Sequence, residues 1–224
     1  MRIIGTNLND QAKLKSYFCV MQDKRIFQFS IGKEQIDDLP LRAYEGEIVL
    51  IEDQESLDLH LPDLLNESIL GFDTETRPAF KKGVYYQTSL LQLATAHKVY
   101  LIRLQKTGLP MSLTKLFSDR DKLKIGIACL DDLKDLNRLN KFFSHSVIDL
   151  NRACPKVGFE SIGAKKLSAL VLGFKISKRQ QTSNWEAPEL TEAQLKYAAT
   201  DAWICREIYL KLKQAGKKLQ VTIP

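Results

Sequence analysis

Two carboxylates one residue apart close the apolar run SILGF: Asp73 and Glu75, in the segment GFDTETRPAF. Residues i and i+2 of a strand project to the same side, so the two acids face one way. Desolvating one unpaired carboxylate costs several kcal/mol, and a second beside it adds repulsion. Taken alone, the pair fits a strand end emerging into water, where acids are common. The other possibility is that the strand stays buried and something positive binds there. A divalent cation, which prefers hard oxygen ligands, is such a group. That chemistry needs further acids from elsewhere in the chain.

The segment KIGIACLDDLKDL offers Asp131, Asp132 and Asp135. On a helix whose apolar arc is Leu133, Leu136, Leu139 and Phe143, Asp132 lies about 35° from the centre of the arc and Asp131 about 135° away. Asp135 is about 95° off and shares the outer face with Arg138. Asp131 and Asp135 therefore read as solvated charges or a helix cap, and Asp132 as an inward acid just past a strand. A fourth acid comes from LTEAQLKYAATDAWICREIYLKL, which opens with Thr191 and Gln194 in a capping-box pattern. Its stripe of Leu195, Ala198, Ala202, Cys205, Tyr209 and Leu212 faces a core, and Tyr197 and Asp201, spaced i, i+4, stack on one flank. As a pair alone they are ordinary on any amphipathic helix.

The elements that must position these residues are legible in outline. Residues 45–53 alternate as a strand, and SLDLHLPDLLNE contains a short helix broken or started at Pro62. ILGFDTE, SLLQLAT and KVYLIRL are three short strands bounded by turn or polar residues. KLKIGIAC is a further strand leading into the helix LDDLKDLNRLNKFF, and SVIDL is a candidate for one more. From Ser161 the texture is helical: SIGAKKLSALVLGF, a polar loop to Leu190, then a long helix to about Gln214. Strands mixed with helices predict an α/β domain with a mixed central β-sheet. It would span 45–214, after a weakly patterned extension at 1–44 within which Met21 is a candidate start, and before a basic tail at 215–224.

Composition sets the frame: 224 residues, 44% hydrophobic and 27% charged, suit one soluble domain with a full core. No run approaches the ~18 apolar residues of a membrane span, and the first residues lack a signal-peptide pattern. Cys19, Cys129, Cys154 and Cys205 show neither paired nor metal spacing, so reduced core thiols and a cytoplasmic setting are expected. The net charge of +6 hints at a polyanionic partner. Nothing in the pattern reveals an oligomeric state.

Taken together, Asp-x-Glu on an early strand, an inward Asp after a middle strand and Tyr-x-x-x-Asp on a late helix resemble the DEDD superfamily of exonucleases. The tyrosine points to its DEDDy branch. FDTETRP is similar to motif I, IGIACLDDLKDL to motif II and YAATDAW to motif III. KISKRQQTSNWEAPELTEAQLKYAATDAW also resembles the loop and helix before motif III in ribonuclease D and in the exonuclease domain of the Werner syndrome helicase. The likeness runs from about Glu45 to Leu212. The family places the motif II Asp six residues after a Gly, here Gly126, and so selects Asp132. The DEDDh sister enzymes carry a His five residues before the final Asp, where this chain has Lys196, and His60, His97 and His145 are far from every motif.

The resemblance implies a ribonuclease H-like fold and a metal-dependent 3′–5′ exonuclease releasing 5′-nucleotides. Asp73, Glu75, Asp132 and Asp201 would bind two divalent ions (Mg²⁺ or Mn²⁺), and Tyr197 would help orient the attacking water. The implied partner is the 3′ end of a nucleic acid. Lys81, Lys82, Lys165, Lys166, Lys175 and Arg179 divide between a backbone grip and a solvated face, with Lys178 the strongest candidate for nucleic-acid contact. The backbone of Thr74 would touch the terminal nucleotide. Tyr85, Tyr86 and Trp185 are better read as packing than as stacking platforms. The chain ends 23 residues past Asp201, without the helical domains of ribonuclease D or the helicase of the Werner protein. That and TETRP favour a stand-alone enzyme acting on DNA, in a DNA-repair setting. Ribonuclease D-like trimming of RNA 3′ ends is the second reading. A catalytically silent nucleic-acid-binding module is the reading from another class, disfavoured because such modules usually lose an acid and none is missing.

Overall fold

The computed structural model describes residues 27–81 and 83–223. Met21, Cys19 and Lys82, singled out above, lie outside the described residues. Chain order runs α1 (Lys33–Asp37), β1 (Glu47–Ile51), α2 (Gln54–Asn66), β2 (Ile69–Thr76), β3 (Thr88–Ala94), β4 (Lys98–Arg103), α3 (Leu104–Thr107) and α4 (Met111–Ser118). There follow β5 (Leu123–Gly126), α5 (Leu130–Leu139), β6 (Val147–Asp149), α6 (Leu150–Ala153), a 3₁₀ turn (Pro155–Val157), α7 (Ala164–Leu167), a π-helical turn (Ser168–Leu172) and α8 (Glu192–Gln214).

The six strands form one mixed sheet in the order β1-β4-β3-β2-β5-β6. Only β3 opposes its neighbours; β1 is parallel to β4, and β2, β5 and β6 are mutually parallel. Both faces are covered, which is why all seven residues of β3 are buried and its sequence carries no polar face. On one face Leu70, Phe72, Leu91, Leu93, Tyr100 and Ile102 pack with Leu57 and Leu64 of α2, with α4 and with Leu133 and Leu136 of α5. On the other, Leu90, Ala94, Val99 and Leu101 meet Ala198, Ala199 and Ala202 of α8, and Ile125 and Ile148 meet Ile204, Ile208 and Leu212.

Helix α8 thus lies directly across β2. A Cβ at Gly71 would sit 2.2 Å from the Ala202 carbonyl oxygen, so this crossing requires a glycine on the strand. The residue before Ala202 is Asp201, and Asp73 and Glu75 share the face of Gly71. Close packing of helix on strand is therefore what brings the acids together.

Several boundaries differ from expectation. Helix α2 runs unbroken through Pro62, because burial of Leu57 and Leu64 outweighs the roughly 3 kcal/mol cost of an interior proline on its exposed side. Helix α5 stops at Leu139, so Phe142 is buried while Phe143, assigned above to the apolar arc, is 84% exposed. The helical texture from Ser161 resolves into α7 and the π-helical turn, ended by Gly173 at φ 80°. Phe27 packs on Phe159, and Ile223 bridges Val147 at the sheet edge, so both described ends of the chain lie against the sheet's core.

Candidate active site

Strand β2 does not stop at Phe72. It continues through Asp73 and Glu75, leaving Asp73 half-buried and Glu75 8% exposed. Asp201, from the centre of α8, is 3% exposed, and carboxylate oxygens of Asp73, Glu75 and Asp201 lie within 4.8 Å of one another. Thr191 accepts a hydrogen bond from the Gln194 backbone while the Gln194 side chain accepts one from the Thr191 backbone, so the expected capping box sets the helix start.

The positive group that the buried pair demands is present within the chain. The Lys178 ammonium donates to both Asp201 oxygens, at 2.9 and 2.8 Å, and to the Tyr197 hydroxyl at 3.4 Å, and lies 5.1 Å from the centre of the Tyr197 ring. Lys178, expected to grip nucleic acid, therefore stands inside the acid cluster. One ammonium against three carboxylates leaves a surplus of negative charge. Burial first, then Asp201 and Asp132, hold the Asp73 carboxyl well above the usual carboxylate range. Burial first, then Asp73 and Asp201, push Glu75 up to about 10. Burial raises Asp201 as well, against the opposing pull of Lys178.

Asp132 arrives from the first turn of α5, through a tight strand-to-helix connection. A Cβ at Gly126 would sit 2.4 Å from Cys129 Cβ, and Ala128 adopts φ 59° while its N–H donates to Asp149 at 2.9 Å. Asp132 adjoins the three-acid cluster through Thr74, whose hydroxyl donates to it at 2.5 Å. Thr74 thus touches a carboxylate with its side chain, where the sequence suggested a backbone role. Burial lifts Asp132 to about 6, with the Thr74 hydrogen bond opposing. Asp131 and Asp135 are paired outward with Lys134 and Arg138, as their helical angles require.

Asp73, Thr74, Glu75, Lys178, Tyr197 and Asp201 line a cleft of about 310 Å³ that also includes Ala128, Asn151, Gly163, Gln181 and Cys205, and Asp132 adjoins it through Thr74. Sequence reasoning missed Asn151 and Gln181, since a lone amide in a one-turn helix or in a turn carries no periodic signal. It also missed Arg103, which is buried and donates to the carbonyls of Ala187 and Pro188 and to Glu52. That contact ties the loop before α8 to the end of β4. Trp185 in the same loop is 1% exposed and packs on Tyr197, centroids 5.9 Å apart, so it is a packing residue.

A hard divalent cation takes oxygen ligands at about 2.0–2.6 Å, which brings those oxygens to within about 4–5 Å of one another. The carboxylates of Asp73, Glu75 and Asp201 already meet that condition, with Asp132 beside them, so the donor set fits such ions. A phenol, an ammonium and three acids in a single cleft, with a fourth acid adjoining, can hold cations, order a water and offset charge on a bound anion.

Comparison with known proteins identifies the family. A family model described as 3′–5′ exonuclease matches residues 48–217. The chain is 31% identical over 171 residues to ribonuclease D of Acidiphilium cryptum, covering 75% of this chain and 43% of the relative. It is 28% identical over 221 residues to the bifunctional 3′–5′ exonuclease/ATP-dependent helicase WRN of Mus musculus, covering 93% of this chain and 15% of the relative. The chain thus spans less than half the length of these curated relatives. Among solved structures, the EXO domain of Nibbler from Aedes aegypti superposes with a TM-score of 0.69 at 29% identity, covering 79% of this chain and 92% of that one. The expected ribonuclease H-like α/β architecture stands, and the chain belongs to the family of 3′–5′ exonucleases.

Proposed function

We propose that the protein is a metal-dependent 3′–5′ exonuclease that hydrolyses the terminal phosphodiester of a nucleic acid, DNA before RNA, and releases 5′-nucleotides. The observation that carries this reading is the convergence of Asp73, Glu75 and Asp201 within 4.8 Å, with Asp132 adjoining and Tyr197 alongside. Asp73, Glu75, Asp132 and Asp201 would hold two divalent ions, Mg²⁺ or Mn²⁺. Such ions, when bound, activate water and stabilise the attacking and leaving oxygens of an in-line displacement at phosphorus.

The chain's own groups supply the rest. Burial first, then the carboxylates of Asp201 and Glu75, raise the Tyr197 phenol far above the ordinary value, so it stays protonated and acts as a hydrogen-bond donor rather than a base. It is suited to orienting the attacking water. Lys178 stays charged among the acids and can offset a non-bridging phosphate oxygen. Thr74 fixes the Asp132 carboxylate by its hydroxyl.

The DNA preference rests on the likeness of TETRP to the Werner group and on the extent of the alignment with the WRN relative, 93% of this chain. The ribonuclease D relative favours RNA trimming as the second reading. Among the described residues no helix is long and apolar enough to cross a membrane. Cys129, Cys154 and Cys205 are buried free thiols, the state a reducing, cytoplasmic setting would maintain.

The test uses 5′-labelled single-stranded and recessed-end DNA beside matched RNA, with Mg²⁺ or Mn²⁺, and Asp73→Ala and Asp201→Ala as controls. A ladder shortening one nucleotide at a time and lost in both variants is the expected result, and the DNA/RNA rate ratio decides the substrate. No cleavage by the wild type with either metal overturns the catalytic reading.

A further inference from the structure

The acid cluster is not the largest cleft on this side of the molecule. Beyond it, between the 77–87 connection and the 177–190 loop, lies a cleft of about 500 Å³ lined by Arg77, Phe80, Lys81, Tyr86, Thr182 and Asn184. The two clefts are neighbours along both chain segments. Glu75 belongs to the acid cluster and Arg77 to the second cleft, about 7 Å further along the extended backbone. Gln181 lines the first and Thr182 the second.

The chemistry of this cleft is specific. Arg77 is braced by Glu186 at 3.0 Å and lies 4.6 Å over the Tyr86 ring, which holds a flat cation on one wall. Phe80 is 84% exposed, and Val84, which lines the same cleft, is exposed as well, so the cleft presents an open aromatic ring with an apolar neighbour. Lys81 beside it is exposed and makes no ion pair among the described residues. Among the described residues that line the cleft, the charged ones are Arg77 and Lys81, and the carboxylate of Glu186 beside them is engaged by Arg77, so the lining itself is basic. Aromatic faces, fixed guanidinium and free ammonium together match a polyanion whose bases are unpaired, because a base inside a duplex has no free face to offer.

We infer that this cleft binds the single strand immediately 5′ of the nucleotide being removed, stacking an unpaired base on Phe80 and taking the backbone phosphates on Arg77 and Lys81. The inference rests on the exonuclease reading of the acid cluster, and it assigns the cleft to substrate affinity rather than to the chemical step. It predicts a preference for ends with several unpaired nucleotides over dinucleotides, largely independent of base identity.

The experiment compares wild type with a Phe80→Ala/Lys81→Ala double variant on a 5′-phosphorylated deoxydinucleotide and on a 12-nucleotide single-stranded oligodeoxynucleotide. Both changed side chains are exposed and lie outside the acid cluster, and an unchanged thermal transition verifies the fold. The dinucleotide kcat/KM is expected to stay within about twofold, while KM for the 12-mer rises about tenfold at constant kcat. Anisotropy of the fluorescein-labelled 12-mer in EDTA is expected to show a similar loss of affinity, with the slope of log Kd against log salt reduced by about 0.7. Equal losses on both substrates, or undiminished binding of the 12-mer, overturn the assignment. If wild type hydrolyses neither substrate, the exonuclease reading fails, and the anisotropy comparison alone decides the cleft.

Discussion

Tyr197 and Lys124 illustrate how burial changes what a side chain does. The Tyr197 phenol, raised by desolvation and by Asp201, Glu75 and Asp73, cannot ionise in the working range. Tyr197→Phe removes a donor while keeping the ring that packs on Trp185. The expected outcome is a fall in kcat of about a hundredfold with Mn²⁺ affinity, by calorimetry, changed less than about threefold. A loss of metal binding instead would make the hydroxyl a structural partner of Asp201. Lys124 on β5 has no exposed surface, and its ammonium donates to the Asp119 carbonyl at 2.6 Å. Burial lowers its pKa to about 8. Between about pH 8 and the ordinary lysine value of about 10.5, the unfolded chain binds the proton more tightly, so this residue's contribution makes stability rise with pH over that window. Lys124→Met should therefore stabilise the fold by about 1–2 kcal/mol at pH 7, an advantage that shrinks above pH 8. Urea melts of the two proteins at pH 7, 8.5 and 10 check this, and a constant difference would refute it.

Among the elements, the crossing of α8 on β2 governs the site. Gly71→Ala drives a methyl group against the Ala202 carbonyl, so the helix must lift and Asp201 must move away from Asp73 and Glu75. Such overpacking costs about 1–3 kcal/mol by chemical denaturation. Activity per folded molecule should drop at least about tenfold, since small displacements of reacting groups are expensive. Unchanged activity in a destabilised protein would mean that the cluster tolerates the shift. Much of this arrangement was legible beforehand. Alternation aimed Asp73 and Glu75 together, helical angle separated Asp132 from Asp131 and Asp135, and Thr191 with Gln194 marked the start of α8. Other features could not be read from local pattern. Lys178 sits in a polar loop, and only the tertiary fold carries its ammonium to Asp201. Pro62 looked like a break because propensity is local, whereas the burial of Leu57 and Leu64 is not. Phe143 followed the helical period on paper, but α5 ends four residues earlier and leaves it in solvent.

At the scale of the whole molecule, the acid cluster is a liability to folding until something positive joins it. Asp132 and Glu75 have folded values of about 6 and about 10, and Asp73 and Asp201 are also raised. A carboxyl raised in the fold contributes its stability below the unfolded value, near 4, and loses it as pH climbs through the folded value. Metal-free protein should therefore become less stable from about pH 5 towards pH 9. Divalent ions need the deprotonated acids, so they bind where the metal-free fold is weakest. At a Mg²⁺ concentration of about 100 Kd the linkage is worth about 2.7 kcal/mol, or a rise in Tm of about 5–10 °C for a chain of this size. Thermal melts in EDTA and in Mg²⁺ at pH 5.5 and 8.5 should show a small metal shift at the lower pH and a large one at the higher. Asp73→Asn removes one buried charge, so in EDTA at pH 8.5 it should melt above wild type while responding little to Mg²⁺. A metal shift independent of pH, or an Asp73→Asn protein no more stable than wild type in EDTA, would show that Lys178 alone already balances the cluster. The fold would then carry these acids at no cost, and binding of metal would have to be driven by substrate phosphate rather than by the site's own unsatisfied charge.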